Sequence, residues 1–221
     1  MKTQLDENEK HFQEQVETNN IQFQQQIEHN NKIRIENNNI EIERINRVKS
    51  YEFKINDLRE KKNMIYDAIQ TIREYEQEIY NNPMSESLAD YSETGNINAY
   101  RKFKASSKAY TSLVSSIPVS YSFVYHNFTN ETKGELDKLG TMLNQEAINI
   151  THFIPQHIGS NARAGEPRLL ATTKIIETDF RVSSLVQSIV LIMFKRHKEI
   201  EKEMKKNHEE FEIDLGKTSY S

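Results

Sequence analysis

Residues 1–82 contain no glycine and no proline, and neither does the stretch 168–215. Glycine and proline are the strongest local interrupters of regular structure. Here they are confined between Pro83 and Pro167, apart from Gly216. The chain therefore reads as a long uninterrupted arm (1–82), a punctuated middle (83–167) and a second uninterrupted segment with a short tail (168–221). As helices, the two arms would run about 120 Å and about 70 Å at 1.5 Å per residue. A single compact domain of this chain length is roughly 40 Å across. The first arm must therefore project, pair with another chain, or bend back.

Hydrophobic spacing assigns the arms to helix. Residues 48–79 fit a heptad frame with Val48, Ile55, Lys62, Ile69 and Glu76 at a, and Tyr51, Leu58, Ile65, Ile72 and Ile79 at d. Only Lys62 and Glu76 break the seam, which has coiled-coil character. The outer ends keep another repeat. Leu5, Phe12, Val16, Phe23 and Ile27 are spaced 7, 4, 7, 4, and Ile189, Met193, Ile200, Met204, Phe211 and Leu215 are spaced 4, 7, 4, 7, 4. An eleven-residue repeat makes a nearly straight or slightly right-handed stripe. The two stripes are expected to pack on each other or on symmetry copies, and an ordinary amphipathic helix of period 3.6 explains either one equally well. Between them, residues 28–47 are rich in asparagine, a poor helix former. Ile33-Arg34-Ile35 and Ile40-Glu41-Ile42 alternate as a strand would. A continuous helix with a stutter is favoured over a break at 37–39.

In the middle, Pro83 ends the first helix at 80–82, and Ser85 or Ser87 is a candidate cap for a short helix. Asn96 caps a helix that Pro118 should stop. Residues 119–125 alternate and read as a strand or an extended connection. A further helix covers 132–154 up to Pro155, a loop covers 156–168, and the last helix closes at Gly216. The run 185–194 is apolar all round, which predicts burial on all sides at the centre of a small bundle spanning 96–194, with Leu113, Val114, Leu139 and Leu143 as partners. The expected fold class is all-α and elongated: a long N-terminal coiled-coil helix, a central small helical bundle and a C-terminal coiled-coil helix.

Composition removes several function classes. Lys and Arg total 29 against 33 Asp and Glu, for a net charge of -4, which argues against a uniformly basic nucleic-acid binder. Cysteine is absent, so disulfides, thiolate metal sites and a cysteine nucleophile are excluded. No apolar stretch reaches membrane-spanning length, and the start lacks the apolar core of a signal peptide. Three Asn-x-Thr sequons are chance matches in that reading. The expected location is cytoplasmic or within a virus or phage particle.

Candidate chemistry is sparse. From 94 to 130 there is no acidic residue, and Arg101, Lys102, Lys104 and Lys108 are interleaved with Tyr100, Phe103 and Tyr110. Cations track phosphates and rings stack on bases or sit at membrane interfaces; a solvated helix face with aromatic core anchors is the plainer reading. The seven histidines match no zinc or di-iron spacing, and no phosphate-binding or nucleophile-elbow motif is present. No catalytic, cofactor-binding or metal-binding residue and no cofactor is therefore expected. The expected function is a non-enzymatic structural or assembly protein. It would oligomerise through a seam of Val48, Tyr51, Ile55, Leu58, Ile65, Ile69, Ile72 and Ile79, with itself or with other subunits of a large assembly; a phage or viral particle, a ring or a cytoskeletal complex fits the composition, which leans slightly towards the first. The alternative is a module that binds nucleic acid, an anionic membrane or an acidic protein through 100–110.

Overall fold

The computed structural model describes the backbone of residues 2–158 and 166–218 and the side chains of residues 9–152 and 173–214. The described residues are all-α: α1 Lys2–Tyr80, α2 Met84–Thr94, α3 Ile97–Ser122, a single 3₁₀ turn at Tyr125–Asn127, α4 Asn130–Ile158 and α5 Glu166–Thr218. No strand occurs among them. Helix α1 is continuous through the asparagine-rich stretch, so the alternative of a break at 37–39 is excluded. Of the loop expected over 156–168, residues 156–158 and 166–168 are helical, and 159–165 lie outside the described residues, as do the side chains of Leu5 and Leu215.

The chain divides into two units, Met1–Lys54 and Ile55–Ser221. The boundary falls inside the predicted arm. The first unit is a length of α1 with no second element to pack on. Among its described residues, the large apolar side chains from Phe12 to Ile45 are exposed, and those of the stripe, Phe12, Val16, Phe23 and Ile27, retain 43–66% of their surface.

The second unit is a bundle of the C-terminal part of α1 with α2, α3, α4 and α5. Its core is one cluster that includes Ile65, Ile69 and Ile72 of α1, Leu88 of α2, Phe103, Val114 and Ile117 of α3, Leu136 and Leu143 of α4, and Val182, Val186, Ile189, Met193 and Ile200 of α5. Local chemistry sets most of the boundaries. Asn82 Oδ1 accepts the Met84 amide at 3.0 Å, so Asn82 opens α2, not Ser85 or Ser87. Gly95 closes α2 in the left-handed conformation (φ 64°), where a Cβ would be strained. Asn96 caps α3 as expected, accepting the Asn98 amide at 2.8 Å.

Three expectations at proline and glycine are corrected. Pro118 lies inside α3, so 119–122 is helix and the strand reading of 119–125 fails. A proline removes one i→i−4 bond and crowds the preceding turn. Here Ile117 and Tyr121 on either side are buried, and the Tyr121 hydroxyl donates to the Leu136 carbonyl of α4 at 2.9 Å, so tertiary packing outweighs the local cost. Gly140 stands where that hydroxyl passes, and a Cβ there would collide with it. Pro155 likewise lies within α4, which runs to Ile158, and α5 continues through Gly216 to Thr218.

The run 185–194 is not buried on all sides. Val186, Ile189, Val190 and Met193 are in the core, but Leu191 is 69% exposed and Phe194 is also open. With Ile176 and the 78%-exposed Phe180, they share one face of α5 at about 100° per residue. The bundle leaves that face uncovered.

Candidate functional site

The seam expected to mediate oligomerisation lies mostly inside the chain. Leu58, Ile65, Ile69 and Ile72 are core residues, and Ile79 packs against the same cluster. Val48, Tyr51 and Ile55 are half-buried. The two polar interruptions are accounted for. Lys62 Nζ reaches Glu201 Oε1 of α5 at 3.1 Å, and Glu76 pairs with Arg73 at 2.7 Å. The Lys62–Glu201 bridge links α1 to α5 at a seam position. Hydrogen bonds from Lys62 and Lys198 hold the Glu201 carboxyl below its ordinary pKa. His197, on the preceding turn of α5, has its pKa lowered chiefly by burial and then by the Lys62 charge; its ring lies 6.0 Å from that of Tyr66 and 6.0 Å from that of Phe194. With the inner part of the seam occupied within the chain, it is unavailable to a partner while the bundle is closed.

The basic stretch separates into two faces of α3. Arg101, Lys102, Lys104 and Lys108 are exposed. Phe103 and Tyr110 are fully buried, and Tyr100 leans on Tyr91 of α2 at 5.1 Å between ring centroids. The rings are structural anchors, so no platform combining stacked aromatics with cations is assembled. Phe103 and Tyr110 are seven residues apart, the spacing of one helical face, and that was readable in the sequence.

The C-terminal stripe is the buried face of α5. Ile189, Met193 and Ile200 are fully buried and Met204 is partly so.

One cluster had no sequence signal. Where α3, α4 and α5 meet, the Tyr110 hydroxyl, Glu146 Oε2 and Asp179 Oδ1 are all buried, with the hydroxyl close enough to Asp179 to interact with its carboxyl. Burial raises the Tyr110 pKa far above the tyrosine range, and the nearby charges of Asp179 and Glu146 add to the rise. Burial also raises the Asp179 pKa. The other oxygen of Glu146 lies 3.4 Å from Arg181 Nε. Tyr110 and Asp179 line a cleft of about 720 Å³ whose walls include Arg73, Glu76, Met84 and Glu86. Tyr110, Glu146 and Asp179 come from three different helices, so only the fold brings them together. The arrangement retains a proton on Asp179 to higher pH than an ordinary carboxyl does.

A second long-range contact within the chain ties the α3–α4 connection to α5. Arg196 Nε donates to the Asn127 carbonyl at 2.8 Å, and its other nitrogen reaches Glu203 at 2.8 Å. Among the described residues no group of three or more His, Asp or Glu side chains is placed to hold a metal ion, and no helix is long and apolar enough to cross a membrane. No family model, curated protein or solved structure matches the chain.

Proposed function

We propose that this protein is a non-enzymatic structural subunit that assembles through its helical arm. The observation that carries this reading is the first unit: an unaccompanied helix with exposed Phe12, Val16, Ile21, Phe23, Ile27, Ile33, Ile35, Ile40, Ile42 and Ile45. Most helical stability in proteins comes from tertiary packing of an apolar face, and isolated helices are marginal in water. Nine asparagines in residues 1–46 lower the intrinsic propensity further. A rod of this composition needs neighbours that cover its apolar residues.

The uncovered face of Ile176, Phe180, Leu191 and Phe194 adds a second surface of the same kind. Exposed apolar patches of this sort mark interaction sites. A subunit with two such surfaces suits a multi-subunit particle, of which a phage or viral assembly is one setting favoured by composition. The test is the mass in solution by multi-angle light scattering. An oligomer at tens of micromolar supports the reading, and a strict monomer counts against it. A second reading, salt-dependent contact with nucleic acid, anionic membrane or an acidic protein, draws on the four exposed cations of α3, none of which is in an ion pair among the described residues. Loss of binding in Lys102→Glu with Lys104→Glu would support it.

A further inference from the structure

We infer that the N-terminal arm pairs antiparallel with the arm of a second copy, about a two-fold axis between Asn30 and Asn31. The inference rests on the assembly reading above and specifies its geometry. Because α1 is unbroken from Lys2 to Tyr80, the eleven-residue stripe can be followed past the point where its apolar character lapses. After Phe12, Val16, Phe23 and Ile27, the same 7, 4 spacing lands on Arg34, Asn38, Ile45 and Lys49. The stripe is apolar in its first half and mostly polar in its second.

Parallel, in-register pairing would set Arg34 against Arg34 and Lys49 against Lys49 in the seam. Like charges placed together and removed from water are costly. The 4, 7, 4 spacing reads the same in both directions, so the antiparallel arrangement also aligns every layer. It sets Phe12 opposite Lys49, Val16 opposite Ile45, Phe23 opposite Asn38 and Ile27 opposite Arg34. Each polar seam residue then meets an apolar or aromatic one. The long stems of Arg34 and Lys49 can cover that surface while their charges reach water, and Lys49 over Phe12 is a cation–π pairing.

The charge distribution favours the same orientation. Residues 1–31 carry six acidic and two basic side chains, a balance of -4; residues 32–54 carry six basic and four acidic, a balance of +2. Antiparallel arms lay the acidic half of each on the basic half of the other. At about 100° per residue, Ile35 and Ile42 flank the stripe, and Ile33 with Ile40 fall on a separate face. That face stays open to additional arms, as a larger assembly requires.

The chain has no cysteine, so single thiols can be introduced into the full-length protein. Val16→Cys and Ile45→Cys lie at exposed positions outside the core of the bundle. Under mild oxidation, a mixture of the two variants should give a 16–45 disulfide dimer, while each variant alone stays uncross-linked, because disulfides form only when Cα atoms are within about 7 Å. Self-dimers of each variant, without enrichment of the mixed species, would overturn the antiparallel geometry and leave self-assembly standing. An oligomeric mass with no cross-link in any sample would overturn the stripe as the interface. A monomeric mass by light scattering would overturn the geometry and self-assembly together.

Discussion

Two stripes with the same eleven-residue spacing have opposite fates in this molecule. On α5, Ile189, Met193 and Ile200 are fully buried in the bundle. On the first part of α1, Phe12, Val16, Phe23 and Ile27 are exposed. The spacing alone does not decide which stripe is covered. The difference is in what the rest of the chain supplies: α5 lies among α2 and α4, and the first unit contains a single helix. A periodic apolar stripe thus specifies that a helix needs company, and the fold decides whether the company is internal.

The largest effect is expected from charges placed in the core. Ile65→Asp with Ile72→Asp puts two carboxylates at positions of zero exposure. Buried unpaired charges cost several kcal/mol each, so the cooperative thermal transition of the bundle should be lost by circular dichroism. The corresponding change in the other stripe, Phe12→Asp with Phe23→Asp, should leave that transition in place and reduce the mass in solution. If both double variants unfold the protein equally, the contrast between the stripes is broken.

A milder version truncates one residue in each stripe. Ile200→Ala should cost about 2–5 kcal/mol of bundle stability by chemical denaturation, through lost burial and a cavity. Ile27→Ala, at a 45%-exposed site, should leave bundle stability unchanged and act only on association.

Contacts inside the bundle should have smaller effects. Gly140→Ala raises helix propensity yet places a methyl against the Tyr121 hydroxyl, so it should destabilise by about 1–3 kcal/mol. Tyr121→Phe should cost about 1 kcal/mol for the lost hydrogen bond. The pair should be non-additive in a double-mutant cycle, because Tyr121→Phe deletes the hydroxyl that the new methyl would strike. Asp179 supplies a pH signature. Its folded pKa is raised by burial, so the native state binds the proton more tightly than the unfolded state does. That contribution favours folding at low pH and is lost as pH rises from the ordinary carboxyl value through the raised one. Asp179→Asn should therefore raise Tm at pH 7 and flatten this part of the profile. Smallest of all, Lys102→Glu with Lys104→Glu changes only exposed side chains and should alter stability by no more than about 0.5 kcal/mol.

Much of the fold is legible in the residues. The end of α1 at Tyr80, the Asn96 cap and the burial of Val114 and Leu143 all follow from local spacing and capping chemistry. Pro118, Pro155 and Gly216 read locally as stops, yet each lies inside a helix. For Pro118, the compensating contact of Tyr121 with Leu136 is tertiary and has no local signature. The burial of the run 185–194 was overestimated for a related reason: composition shows that a segment is apolar but not how many faces its neighbours cover. The Tyr110, Glu146 and Asp179 cluster and the Arg196–Asn127 contact join distant positions, so the sequence alone could not indicate either.

The central claim is that residues 9–54 are held as a helix by another copy. Amide hydrogen exchange of the full chain, followed over a dilution series, tests it most directly. Protection of these residues should fall on dilution in step with the mass measured by light scattering, while protection of the bundle core around Ile69 and Ile189 stays constant. Arm protection that is independent of concentration in a monomeric sample, or an arm that exchanges freely in an oligomeric one, would contradict the account.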